Sequence, residues 1–273
     1  MSSISFERAA DYYDATRGYP HGVEAQIAEA IIQAAQATPT TRFLELGIGT
    51  GRIAFPLITQ GYTYAGIDLS PAMMARLRAK IAAYEIEHPE IAPLRVDLRE
   101  GDSTALPYPD ASFDVTLTVH VLHLIENWRK TVDEALRVLV PGGYYLNGSD
   151  DAITPNGKRA IQERWSAILK KLGYETSGVP KARGSDLIAY LDAHGLQPER
   201  LRTTTWKIRS TPRERYQFIE QRLWSGTWHL PDEVFTASLR LLWEELAEEF
   251  GDAIDTPQEQ EMQFTIIRVR KPL

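Results

Sequence analysis

Phe43-Leu44-Glu45-Leu46-Gly47-Ile48-Gly49-Thr50-Gly51 is the stretch on which the fold turns. An apolar run of strand character ends around an acid, glycine then stands at every second position, and a helical pattern opens at Arg52. Glycine reaches backbone angles closed to other residues and lets a ligand lie against the main chain. A dinucleotide fold asks for G-x-G-x-x-G, with a pyrophosphate at the helix N-terminus. Here position 52 is arginine and the third glycine comes one place early. The spacing therefore suits a different nucleotide, although one glycine-rich turn alone is weak evidence.

Working outward, strand-like and helical patterns alternate up to about Ser149. Residues 42–46, 62–67, 94–98, 113–119 and 143–147 read as strands. Val23, Ile27, Ile31 and Ala34 keep helical spacing, as do Met73, Leu77 and Ile81, and Val132, Leu136 and Leu139. Such alternation predicts an α/β fold, with a parallel sheet covered on both faces. Ser70-Pro71 sets a capping hydroxyl before a proline at the first helical position. Pro141-Gly142-Gly143 reads as a helix stop and turn. Beyond Asp150 the pattern changes. Thr154-Pro155 opens a helix to about Leu172, Ser185 caps another that ends at Gly195, and 200–208 is strand-like. Thr211-Pro212-Arg213-Glu214 is a capping box, a helix runs over about 231–250, and 262–269 is a last strand.

Composition bounds the chemistry. The 273 residues carry 37 acids against 30 basic side chains, a net charge of −7, and no cysteine. This excludes a disulfide framework, a thiolate zinc site, an iron–sulfur cluster and a cysteine nucleophile. The acidic balance disfavours a nucleic-acid partner, which needs clustered Lys and Arg. Residues 1–14 lack the apolar core of a signal peptide. The longest uncharged run, 53–67, is broken by Pro56, Gly61 and Gly66 and is too short to span a membrane. A cytoplasmic location is the expectation.

Two further pieces join the glycine turn. Asp68 ends the second strand pattern, where a carboxylate can accept from both hydroxyls of a ribose. Gly101-Asp102-Ser103 follows the third strand pattern, and an aspartate there can accept from the exocyclic amine of adenine. Each acid alone also reads as a cap or a surface group.

With E-L-G-I-G-T-G (45–51), G-I-D-L-S (66–70), G-D-S-T-A-L-P (101–107), F-D-V-T-L-T-V-H (113–120) and L-R-V-L-V-P-G-G (136–143), the chain resembles the class I S-adenosylmethionine-dependent methyltransferases, in the branch of quinone-biosynthesis and small-molecule enzymes. The resemblance covers roughly the first 150 residues. It implies a Rossmann-like seven-stranded sheet of order 3-2-1-4-5-7-6, strand seven antiparallel, with helical lid insertions. It also implies one domain over 1–273: an N-terminal lid (1–21), a cofactor-binding half (22–150) and a substrate-side half (151–273) with a helical insert at about 209–258. The implied cofactor is S-adenosyl-L-methionine. Glu45 and Gly47 would face its methionine part, Gly49 and Gly51 make room, Asp68 with Leu69 hold the ribose side, Asp102 and Ser103 hold the adenine, and His120 lie near the sulfonium. Tyr12-Tyr13-Asp14 and Arg17-Gly18-Tyr19-Pro20 resemble the family's lid opening, with Arg17 able to pair with the methionine carboxylate.

Methyl transfer is an in-line displacement that needs positioning and a water-poor, aromatic pocket more than a metal or covalent nucleophile. Tyr12, Tyr13, Tyr19, Trp224, Trp228 and His229 are pocket residues on this reading, and plain packing residues on the other. His120 is a general base or a bystander at a strand end. His123 reads as a packed or capping residue. Asp150 and Asp151 read as a surface turn in preference to a magnesium site. The acceptor is expected to be a small molecule, its identity and the oligomeric state being left open. The rival functions are an NAD(P)-dependent oxidoreductase and a non-catalytic S-adenosylmethionine-binding regulator.

Overall fold

Strands buried on both faces carry unbroken apolar runs instead of alternation. Phe43, Leu44, Leu46, Tyr64, Ala65, Ile67, Val115, Leu117 and Val119 are all buried. In the computed structural model, which describes residues 6–153, 158–174 and 182–273, the chain begins with α1 (Tyr13–Arg17) and α2 (Val23–Ala35). There follow β1 (Arg42–Leu46), α3 (Ala54–Thr59), β2 (Thr63–Asp68), α4 (Pro71–Glu87), β3 (Val96–Glu100), β4 (Phe113–Val119), α5 (Trp128–Val138) and β5 (Leu139–Ala152). Then come α6 (Lys158–Lys171), α7 (Gly184–Ala193), β6 (Glu199–Ser210), α8 (Pro212–Glu220), α9 (Asp232–Phe250) and β7 (Gln258–Arg270).

The seven strands form one sheet in the order β3-β2-β1-β4-β5-β7-β6. β1 lies parallel between β2 and β4, with Glu45 level with Gly66 and Leu117. β7 runs antiparallel: Gly142 N–H donates to the Lys271 carbonyl and Lys271 N–H to that of Gly143, while Ile153 N–H donates to Glu261, so one index falls as the other rises. The link from β3 to β4 has no helix. It is held instead by Arg137 of α5, which donates to the carbonyls of Leu106 (3.2 Å) and Tyr108 (2.9 Å), and by Glu134, which accepts from Leu106 N–H at 2.7 Å.

Several local expectations shift. Pro141-Gly142-Gly143 does not turn the chain between helix and strand: β5 already begins at Leu139, and the three residues form an irregularity inside it. Phe113 of β4 is level with Leu139 and Val115 with Tyr144, so five positions of β5 pass against two of β4. The helix after the glycine turn starts at Ala54, not Arg52. Arg183, not Ser185, heads α7, where the Asp186 carboxylate accepts from Arg183 N–H at 2.9 Å. The Thr211–Glu214 capping box forms with both bonds, at 2.8 and 3.0 Å. Thr154 and Pro155 lie outside the described residues.

The chain divides into two compact units, 1–150 with 181–204 and 264–273, and 151–180 with 205–263. The first contains a core built on Leu44, Leu46, Ile67, Trp128, Val132 and Tyr145. The second is centred on Trp165, whose ring meets Trp224 at 5.5 Å and Phe235 at 6.3 Å and whose Nε1 donates to Ser238 Oγ at 3.0 Å. Among the described residues, no helix is long and apolar enough to cross a membrane.

Gly51 has φ +74°, and a Cβ there would stand 2.3 Å from Leu77 Cδ1, deep in the core. Gly61 has φ +90° with nothing within 4 Å. Gly51→Ala is therefore expected to lower unfolding free energy by about 2–4 kcal/mol, strain and overpacking together, against about 1 kcal/mol for Gly61→Ala in urea denaturation.

Candidate functional site

The site is built where β1, β2 and β4 end. Gly47 and Ile48 both donate N–H to the Ile67 carbonyl of β2, at 2.8 and 3.1 Å. Gly47, Gly49 and Gly51 all take left-handed angles (φ +80°, +55° and +74°), which only glycine adopts without strain. The loop thus folds back on β2 and aims Gly49 N–H at Asp68 Oδ2, 2.8 Å away. Ser70 N–H occupies the other carboxylate oxygen at 2.9 Å, and Gly101 N–H donates to the Asp68 carbonyl at 3.0 Å. The three stretches singled out in the sequence therefore meet at Asp68. Burial pushes its carboxyl up, and the amides of Ser70, Gly49 and Leu69 only partly offset this. Leu69 beside it is 41% exposed, an apolar face left open to a ligand.

Asp102 is exposed; Thr104 N–H occupies one of its oxygens at 2.8 Å, and the other has no partner among the described residues. Ser103 differs. Its hydroxyl is buried and shares a 3.1 Å hydrogen bond with Thr131 of α5, so its side chain serves packing. Glu45 is 2% exposed and accepts from Tyr64 Oη at 2.8 Å; burial pushes its carboxyl up to about 8 against the pull of that hydrogen bond and of Arg52.

The N-terminal stretch is bonded to the loop at each turn. Asp14 accepts from Thr50 Oγ1 (2.6 Å) and pairs with Lys80 (2.7 Å), which also donates to the Thr50 carbonyl. Glu7 accepts from the Ser70 hydroxyl at the start of α4, and Asp11 pairs with Arg76. Arg52 donates to the Arg17 carbonyl at 2.6 Å and lies 4.4 Å over the Tyr19 ring. Tyr12 precedes α1 and its carbonyl accepts from Thr16 Oγ1 at 2.9 Å. Burial foremost, and also the neighbouring charge of Arg52, pull Arg17 below its ordinary range against the help of Tyr13.

Tyr19 then reaches Asp150: its hydroxyl donates to Oδ1 at 3.0 Å, while His120 Nε2 stands 3.0 Å from Oδ2 and Arg52 Nη1 4.0 Å from it. Asp150, read from sequence as part of a surface turn, has a side chain only 16% exposed. Asp150, Arg52, Lys80 and Glu7 were not among the site residues that the sequence suggested. A lone cation between Gly51 and the uncharged run 53–67, and an acid toward the carboxyl end of a strand, were the signals available. Trp224, Trp228 and His229 belong to the second unit. Trp224 packs on Trp165, Trp228 Nε1 donates to the Arg222 carbonyl at 2.8 Å, and His229 is exposed.

Residues 44–147 match the family described as a methyltransferase domain. The matched stretch, less than half of the chain, is similar to a methyltransferase domain and contains the glycine turn, Asp68 and Asp102. The chain is 33% identical over 135 residues to a phosphatidylethanolamine N-methyltransferase of Cereibacter sphaeroides, covering 50% of this chain and 63% of that one. It is 31% identical over 160 residues to the 27-O-demethylrifamycin SV methyltransferase of Amycolatopsis mediterranei, covering 58% and 54%. The chain thus spans less than two thirds of these relatives' length. The YcgJ protein of Bacillus subtilis has the same fold, with a TM-score of 0.58 at 20% identity over 90% of this chain and 98% of that one.

The raised Glu45 carboxyl makes a pH prediction. In the unfolded chain this group loses its proton near the ordinary glutamate value, about 4.3; in the fold it holds it to about 8. The folded state binds the extra proton between those limits, so its contribution to stability falls by up to about 1.4 kcal/mol per pH unit as pH rises through that window. Glu45→Gln, which still accepts from Tyr64, is expected to flatten the decline relative to the wild type in urea denaturation at pH 5, 6, 7 and 8.

Proposed function

We propose that this protein transfers a methyl group from S-adenosylmethionine to a small-molecule acceptor. The observation that carries this is the Gly49–Asp68 hydrogen bond, which sets a left-handed glycine turn against an acid at the next strand end, with Asp102 on the adjoining loop. The donor set fits the cofactor's nucleoside half. The Asp68 oxygens each take one amide and keep lone-pair capacity for the two ribose hydroxyls. Leu69 offers an apolar face to the purine, and the unengaged oxygen of Asp102 an acceptor for its amine.

Bound S-adenosylmethionine supplies a methyl group activated on a sulfonium. The protein's own residues bind, orient and exclude water. A Cβ at Gly47 would stand 2.5 Å from Val121 Cγ2 and one at Gly49 3.4 Å from Met73 Cε, so these glycines let the turn pack closely, with their main chain assigned here to the cofactor's amino-acid end. Tyr12 and Tyr19 on the tethered N-terminal stretch offer aromatic faces that tolerate a cation. For Ser103, Trp224 and Trp228 the observed bonds favour packing roles. The printed names of the two relatives, one acting at nitrogen and one at oxygen, support a small-molecule acceptor without choosing its atom. Arg52, stacked on Tyr19 where a dinucleotide turn would need glycine, argues against a nicotinamide oxidoreductase.

Calorimetry tests this directly. S-Adenosylmethionine is expected to bind at micromolar or tighter concentration and NADH not at all, with Asp68→Ala weakening the former roughly tenfold or more, about 1.4 kcal/mol. Absence of S-adenosylmethionine binding to the wild type would overturn the assignment.

A further inference from the structure

β5 and β7 are neighbours in the sheet, and their far end lies away from the glycine turn. Tyr144 of β5 stands level with Val115 near the start of β4, while Gly148 stands level with Val119 at its end. At about 3.3 Å per residue, Tyr144 is about 13 Å back along the strand from the ligand end. A cleft of about 580 Å³ opens there, within the first unit, and its lining includes Gln36, Tyr144, Gln197, Glu199, Arg268 and Arg270. Residues two apart on a strand share a face, so Arg268 and Arg270 stand side by side on β7. Two like charges so placed repel unless other groups hold them. The Tyr144 ring serves both: their guanidinium carbons lie 5.4 and 5.8 Å from its centroid, within cation–π range. Arg268 also donates to the Ala34 carbonyl at 3.2 Å and pairs with Glu199. Arg270 uses only its Nε, which donates to the Gly142 carbonyl at 3.0 Å, and it pairs with no carboxylate among the described residues. Its two Nη groups, the Tyr144 hydroxyl and the side-chain amides of Gln36 and Gln197 make no hydrogen bond among the described residues.

We propose that this cleft is a second binding site, for a small organic anion whose carboxylate or phosphate group is held by the free fork of Arg270. The charge balance selects the sign. Arg268 and Glu199 offset each other as a pair, which leaves the guanidinium of Arg270 as the uncompensated charge of the lining. The chemistry selects the head group, since a planar fork of N–H donors matches carboxylate and phosphate oxygens two at a time. An exposed arginine that waves in solvent is no receptor, because ordering it costs side-chain entropy on binding. Here the Tyr144 face and the Gly142 carbonyl hold the guanidinium in place beforehand. The Tyr144 hydroxyl and the two glutamine amides supply further polar contacts to the body of the ligand. The cleft is too large for an inorganic ion alone and falls within the volume range of small-molecule sites. None of its lining belongs to the nucleoside set around Asp68, so the inference does not depend on the methyl-transfer reading.

Titration calorimetry at constant ionic strength tests this, with pyrophosphate and citrate as the phosphate and carboxylate probes. At least one is expected to bind at roughly millimolar concentration or tighter, and the tighter of the two identifies the head group that the fork takes. Arg270→Gln is expected to weaken that binding about tenfold or more. Arg270→Lys keeps the charge but loses the fork, and Tyr144→Phe loses one hydroxyl; each is expected to weaken it about threefold. Asp68→Ala, at the nucleoside end, is expected to bind the same probe as tightly as the wild type. Binding of neither probe, or affinity unchanged in Arg270→Gln, overturns the proposal. Loss of binding in Asp68→Ala also overturns it, by moving the anion to the nucleoside end. Should Arg270→Gln not fold, Arg270→Lys and Tyr144→Phe decide, and unchanged affinity in both overturns it. Failure of the wild type to bind S-adenosylmethionine would remove the methyl-transfer reading and leave this site standing.

Discussion

Two amides, those of Gly49 and Ser70, converge on the Asp68 carboxylate, and the geometry of the first unit's ligand face follows from that convergence. A buried carboxylate costs free energy unless hydrogen bonds meet its lone pairs. Here the donors come from the glycine turn on one side and from the start of α4 on the other. The turn can deliver its amide only because Gly47, Gly49 and Gly51 take left-handed angles. Closing the turn leaves the loop after β3 alongside, through the bond from Gly101 N–H to the Asp68 carbonyl. The carboxylate thus joins two loops, and the main-chain carbonyl of the same residue holds the third.

The second organising charge is Arg52. A guanidinium taken out of water needs partners for its donors and compensation for its charge. It finds the Arg17 carbonyl, the face of Tyr19, and the carboxylate of Asp150 at the outer limit of an ion pair. Burial alone would lower its pKa, yet Tyr19, Tyr13, Asp150 and Glu45 together shift it upward. The N-terminal stretch is therefore held to the first unit by the electrostatics of the site itself, along with the ion pairs of Asp11 and Asp14. Breaking a buried pair by removing one partner leaves the other charge exposed to that cost, so Tyr19, Arg52 and Asp150 are better regarded as one unit than as three contacts.

The parallel sheet and the glycine–acid framework were legible in the spacing, since an acid one strand and one helix beyond a glycine turn lands beside it in a parallel sheet; the strand order came only with the family resemblance. The boundaries of β1 and β4 match residue for residue, as does the Thr211–Glu214 capping box. The His120–Asp150–Tyr19–Arg52 group was not legible as a group. Tyr19 and Asp150 are 131 positions apart, and nothing local to either one specifies the meeting. Asp150 looked like a solvated turn because paired acids after a strand usually are one. Its burial follows from partners contributed by β4, α1's downstream residues and the glycine turn. At Ser103, Thr131, invisible as a neighbour in the linear chain, takes the hydroxyl that the motif position had suggested for a ligand, while its main chain stays beside Asp102.

The irregularity at Pro141–Gly143 sets the phase of β5. Side chains along a strand alternate faces, so an odd surplus of residues reverses every later one. β5 spends three more residues than β4 between the Phe113–Leu139 and Val115–Tyr144 levels, after which the two strands step together as far as Val119 and Gly148. Asp150, two residues beyond Gly148, shares its face, and the odd surplus sets which residues of β4 stand level with that face. That tripeptide thereby sets the parity of the acid beside His120: chains of this architecture that differ there by a single insertion or deletion would present a different side chain to the imidazole, whatever residue they kept at the strand's end.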